Sequence, residues 1–194
     1  MSASVWFEEV CNGLIQELKK SVRYNNTNGE LVALDDKSLI VRKPEEDFKF
    51  EKFPCVSVYI VDYKHDPLRY TPEPVVVARD VNNNIATLEE TAIPFNITCQ
   101  IDFWSHYQVD MDVMTRTWLM KHFRAFNLPV VDSGGTERTC NCFTQGSIVK
   151  SDLVLNKERL FHSIIKYQIW VEIDEEMCYN TSMVTSMNYD VHSQ

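Results

Sequence analysis

Cys140 and Cys142 stand one residue apart in the run TCNCF, the most chemically suggestive pair in this chain. Two thiolates at that spacing can contribute half of a structural zinc site. Completing it takes a second Cys or His pair at a finger-like interval, and none flanks them; the nearest histidine downstream is His162. On a strand the same spacing puts both side chains on one face, where packing accounts for them equally well. The five histidines, His65, His106, His122, His162 and His192, form neither HxH nor HExxH. No nucleophile elbow accompanies them, so they read as surface or loop residues.

Acids cluster at Glu45-Glu46-Asp47, at Asp110 with Asp112, and at Asp174-Glu175-Glu176. Paired carboxylates can hold a divalent cation or transfer protons. Asp110 and Asp112 open a helix, where acids stabilise the macrodipole, and the other two runs fall in loop and tail, so solvated faces are expected. The only glycines are Gly13, Gly29, Gly134, Gly135 and Gly146, and no phosphate-cradling loop can be drawn from them. The expectation is a protein with no catalytic residues, no cofactor and no metal. The enzyme alternative is a metal-dependent hydrolase using Cys140, Cys142 and nearby acids.

The elements that position these residues read clearly in places. Phe7, Val10, Cys11, Leu14, Ile15 and Leu18 form one apolar stripe at helical period. Glu8 and Glu9 near its start and Lys19, Lys20 and Arg23 near its end oppose the dipole. Gly13 inside it costs roughly 1 kcal/mol against Ala, and a close neighbour would explain it. The pieces at 31–34 and 38–42 read as a hairpin around Asp35-Asp36-Lys37, and 43–52 as an exposed charged loop carrying Phe48 and Phe50. Residues 54–63 alternate as a strand. Residues 64–92, broken by four turn signals and holding a short strand-like piece at 74–78, read as a long functional or partner-ordered loop.

Residues 93–106 give the longest strand signal, with Phe95, Ile97, Cys99, Ile101 and Phe103 on a buried face and Asn96, Thr98, Gln100 and Asp102 on a polar one. A second helix is expected over 110–126, with Met111, Met114, Trp118 and Phe123 inward and Val113, Met120 and His122 widening that stripe. Short strands at 139–144 and 147–155 and a strong strand at 161–173 follow. The fold class is α+β: one antiparallel or mixed sheet backed by two main helices. One domain spans 1–173, and 174–194 is an extension, disordered alone or ordered by a neighbour.

A chain of 194 residues with 44% hydrophobic content can build one sizeable core. No apolar run approaches the roughly 20 residues that span a bilayer, and the N-terminus does not read as a signal peptide. The six cysteines are then expected as thiols in a reducing compartment. Twenty-eight acids against 19 bases give a net charge of −9, which argues against a phosphate-tracking binder. It does not exclude a protein that DNA passes without sticking.

The run FPCVSVYIVDYKHDPLRY resembles the tail terminator (tail-completion) proteins of tailed bacteriophages. So do the strand PFNITCQIDFWSHY feeding the helix DMDVMTRTWLM, and the closing strand ERLFHSIIKYQIWVEI. Neck and cap proteins of contractile injection particles share much of this order. The resemblance covers residues 1–173 as a pattern of strands and aromatics without an invariant motif.

It implies a homo-oligomeric, hexameric ring on the head-proximal end of the tail tube, in a virion assembled in the host cytoplasm. The implied partners are the tail tube protein, a head–tail connector and, in contractile tails, the sheath, with DNA crossing the lumen unbound. Another neck or head-completion adaptor, or a cap of an injection particle, is the alternative within this class. Ring contacts are heterologous, one patch meeting a different one. Interfaces favour aromatics and arginine, so Arg69, Trp104 and Tyr107 are candidate anchors, Trp104 standing equally as core. Lys64, Arg69 and Arg79 in the long segment and Phe48 and Phe50 in the charged loop are the further interface candidates.

Overall fold

The computed structural model describes residues 7–26, 28–41, 52–71, 73, 75–83, 85–89, 91–132, 134–155, 158–173 and 178–182. Helix α1 (Phe7–Ser21) forms where expected and buries Val10, Cys11, Leu14, Ile15 and Leu18. It ends sooner than its basic tail implied. Arg23–Asn25 becomes β1, which pairs antiparallel with β2 (Leu31–Ala33).

The hairpin expected around residue 36 is not there. The Asp35 carboxylate accepts from the Ser38 amide at 3.0 Å and from its hydroxyl at 2.8 Å, capping a 3-10 turn, Asp36–Ser38. That turn redirects the chain. β3 (Leu39–Ile40) therefore joins β4 (Cys55–His65) in parallel instead of folding back on β2.

β4 leads to β5 (Val75–Asp80) and β6 (Ile85–Glu89), then β7 (Ile93–Ser105), α2 (Gln108–His122), β8 (Ala125–Val131), β9 (Glu137–Leu155), β10 (Glu158–Ile173) and β11 (Cys178–Ser182). Six strands make the main sheet in the order β3-β4-β7-β10-β9-β8, antiparallel beyond its first pair. α1 and α2 cover one face. The inward side chains of β7 (Phe95, Ile97, Cys99, Ile101, Phe103) and β10 (Ile165, Tyr167, Ile169, Val171) make a single core with them. The fold class is the α+β sheet with two helices that the sequence pattern implied.

Three corrections concern the elements. The expected long loop carries a hairpin, β5–β6, on which β11 pairs to make a separate three-stranded sheet. The β-branched run of β5 and the Asp80 carboxylate, which accepts from the amides of Asn82 (3.0 Å) and Asn83 (3.2 Å), explain that hairpin. Five residues of the expected tail are thus in a strand. The second helix stops at His122, and the following residues form the edge strand β8, with Leu128 and Val130 inward. Its Pro129 is tolerated because an edge strand needs no amide on its outer side. The two short strands expected around Gly146 are one, β9; Gly146, at φ +83°, lies where the register with β10 shifts.

Two corrections concern burial. Met120 and Phe123, expected on the inner stripe of α2, are 80% and 57% exposed. The polar face of β7 is not a solvent face in its second half, where Gln100 and Asp102 are buried along with Trp104.

Candidate assembly surface

Gly13 shows how tightly the layers are set. A Cβ built there would lie 2.9 Å from the Pro129 carbonyl oxygen and 3.1 Å from Val130 Cγ2. The glycine in α1 is therefore the point where β8 reaches the helix.

Two histidines are buried, each for a packing reason: His122, whose spacing set it on the widened inner stripe of α2, and His162, which was expected at the surface. His122 stacks on Trp118 at 3.9 Å between ring centroids, and its Nδ1 lies 3.1 Å from the Trp118 carbonyl oxygen. Burial pulls its pKa below the ordinary histidine value. Tyr167 closes this layer: its hydroxyl accepts from the Trp118 indole N–H at 2.8 Å and donates to the His122 carbonyl at 2.9 Å.

On the other face of the sheet His162 stacks flat on Trp104, 3.7 Å apart and 8° from parallel. Its Nε2 is 3.6 Å from Asp102 Oδ1 and its Nδ1 is 3.4 Å from the Ser151 hydroxyl. The order Ser–His–Asp invites comparison with a nucleophilic triad, but the geometry does not make one. The Asp102 oxygen accepts instead from Gln100 Nε2 at 2.8 Å, and His162 Nε2 is buried with no hydrogen-bond partner. Ser151 sits mid-strand directly opposite His162, not on the strained turn that exposes a nucleophile beside oxyanion donors.

The cysteines are also packing residues. Cys11, Cys55, Cys99, Cys140 and Cys142 are free and buried. Burial pushes Cys140 up to about 11 and Cys142 higher still, opposite to the depression that makes a reactive thiolate or metal ligand. Among the described residues no group of three His, Cys, Asp or Glu side chains is gathered to hold a metal. Among them too, no helix is long and apolar enough to cross a membrane.

The surface, by contrast, carries exposed apolar groups. On the outer half of β4 and the turn after it stand Val61 (47%), Tyr63 (56%) and Leu68 (96%). On the three-stranded sheet stand Val76 and Ile85, with Val81 in the turn between β5 and β6, and along α2 stand Val109 and Met120. Lys64 reaches out beside Asp62, 3.2 Å from its carboxylate. Arg79 is exposed on β5, and Tyr107 is 70% exposed where β7 meets α2.

Arg69 is spent within the chain. Its guanidinium donates to Asp66 (2.8 Å), to the Phe95 carbonyl (3.2 Å) and to Asn96 Oδ1 (3.2 Å), and lies over the Trp170 ring. It fastens the turn after β4 to β7 and β10. Trp104 is 6% exposed, the core alternative of its two readings. Phe48 and Phe50 lie outside the described residues.

Lys64, Arg79 and Tyr107 are not gathered into one pocket. They lie on β4, on β5 and at the β7–α2 junction. The exposed residues Leu68, Val81 and Met120 were missed because singly they resemble turn residues or core positions.

No protein-family model matches this sequence, and no curated protein matches it. Solved structures do match its fold. The PVC sheath/tube terminator of an extracellular contractile injection system, in the extended state, superposes with a TM-score of 0.54 at 15% identity. The match covers 100% of this chain and 65% of that one. The tube-terminating cap of the anti-feeding prophage superposes with a TM-score of 0.52 at 19% identity, over 98% of this chain and 63% of the cap. This chain has the fold of contractile-injection tube terminators. It spans less than two thirds of each of those terminators' length.

Proposed function

We propose that the protein is a structural ring subunit that ends tube growth at the head-proximal end of a phage tail or phage-like contractile particle. The observation that carries this reading is the match of the whole chain, from first helix to last strand, to a sheath/tube terminator and a tube-terminating cap. Six copies form the ring, through heterologous contacts between different patches of adjacent subunits. Residues 1–173 are the ring domain. Residues 174–194 are an extension that begins by pairing β11 onto β6.

Its partners are the tube protein on one side, a head connector on the other, and the sheath around it. Lys64, Arg79 and Tyr107 take part in these contacts, with Phe48 and Phe50. Arg69 contributes by holding the turn that carries Leu68. DNA crosses the lumen without specific binding, and a net charge of −9 keeps phosphate from sticking. A cap of an injection particle is the second reading, favoured because both structural neighbours come from such particles.

Light scattering over a wide concentration range, with negative-stain imaging, tests this. A six-fold ring with a central hole is the expected result, alone or after purified tail tubes are added. A monomer that ignores tubes at every concentration refutes it.

A further inference from the structure

A cleft of about 330 Å³ opens where β1, the segment entering β4 and the β7–α2 junction converge. Its walls are aromatic: Tyr24, Phe53, His106 and Tyr107, with the Phe53 and His106 rings 4.3 Å apart. Asp110, in the first turn of α2, supplies a carboxylate to the same lining.

Among the described residues that carboxylate is unmatched: no hydrogen bond or ion pair reaches it. The cations nearest to the walls in sequence are committed elsewhere: Arg23 donates to the carbonyls of Lys19 (3.3 Å) and Val22 (2.7 Å), and Lys52 pairs with Asp35. Partial burial raises the Asp110 pKa, the sign of an anion stripped of water without compensation.

We propose that this cleft is a socket for an arginine side chain presented by an assembly partner. A guanidinium answers both the carboxylate and the aromatic walls. It pairs with the carboxylate, and its plane lies on aromatic faces. An anion is disfavoured because Asp110 stands where it would sit. A lysine ammonium is the poorer fit. The positive end of α2 offsets part of the Asp110 charge, so binding must draw on stacking, which a guanidinium does better. At about 330 Å³ the cleft has room for one such side chain and not for a folded element. The assembly reading enters only in naming who presents the arginine; the socket can be tested whether or not rings form.

The probes are capped tripeptides, Ac-Gly-Arg-Gly-NH₂ with its Lys, Gln and Glu analogues, titrated into the full chain. Saturation-transfer NMR follows binding in monomer and assembly alike. The Arg peptide is expected to saturate, more tightly than Lys and well ahead of Gln and Glu. Asp110→Asn, which keeps the side-chain shape, should weaken it about 10-fold, the scale of one charge-assisted hydrogen bond. Tyr107→Ala should weaken it roughly 2- to 5-fold, the scale of one exposed cation–π contact.

A readout on the unaltered protein guards against a variant that misfolds. The Arg peptide should slow nitration of Tyr107 by tetranitromethane, read by peptide mass spectrometry, and the Gln peptide should not. Equal response to Arg and Gln, preference for Glu, or full binding by a folded Asp110→Asn protein would each overturn the proposal.

Discussion

Replacing Gly13 with Ala should destabilise this protein, although the change improves the helix that contains it. In an exposed helix interior Ala is better than Gly by roughly 1 kcal/mol. Here the new Cβ would stand 2.9 Å from the Pro129 carbonyl oxygen, 3.1 Å from Val130 Cγ2 and 3.5 Å from Leu128 Cγ. The first contact is to backbone, which cannot rotate away as a side-chain end can. Relief requires α1 and β8 to move apart, loosening Leu14, Leu128 and Val130, all fully buried.

Overpacking of a close-packed core typically costs about 1–3 kcal/mol. Where the overpacking sits in the upper part of that range, the helix gain leaves a net loss of about 1–2 kcal/mol. In a chain of this size 1 kcal/mol moves the melting midpoint roughly 2–4 °C, so a fall of about 2–8 °C is expected. Urea midpoints by circular dichroism give the free energy, and a thermal melt gives the shift. Asn12→Ala, one residue earlier on the exposed side of α1, is the control. It should leave stability unchanged or raise it by a few tenths of a kcal/mol. A Gly13→Ala protein that melts higher than the parent would show that the layers can part without cost, and the close-approach reasoning would fail.

Tyr167→Phe removes a hydroxyl that serves both the Trp118 indole and the His122 carbonyl. Leaving both unsatisfied in the core should cost about 2–4 kcal/mol in urea, and a loss under about 1 kcal/mol would mean the layer repacks. His122 gives a pH dependence. Its folded pKa is depressed by burial, so below its ordinary value the unfolded chain binds a proton that the folded chain refuses. Stability should therefore fall as pH drops below about 6.5, and His122→Gln should remove that part of the slope. A urea midpoint flat from pH 7 to 5.5 in the parent would contradict it. The five buried thiols, Cys140 and Cys142 included, should resist a thiol-specific dye in native protein and react on unfolding; fast native labelling of Cys140 would reopen the metal or redox reading.

The elements legible in the sequence are those that carry their own periodicity. The stripe of α1 and the alternation of β4, β7 and β10 are local patterns, set by which side chains must leave water, and the structure has them in place. The same logic placed Cys11 and Cys99 in the core. The candidate surface was only partly legible: Lys64, Arg79 and Tyr107 are exposed, whereas Trp104 is buried and Arg69 is tied down by Asp66, Asn96 and Trp170. Whether an aromatic or an arginine faces out depends on what lies across from it, and for Trp104 and Arg69 that is His162 and Trp170, on a strand far along the chain.

Sequence by itself determined the fold class, the α1 stripe and the acidic balance, because composition and period are properties of neighbours along the chain. Tertiary structure alone decided that 125–131 is a strand and not a helix end, since only the open edge of β9 offered it a ladder of hydrogen bonds. It decided that 75–89 pairs into a hairpin completed by β11. It buried His162 by stacking it on Trp104 of a different strand. It also brought Tyr24, Phe53, Tyr107 and Asp110 to one cleft, because packing joins residues that no short-range pattern relates.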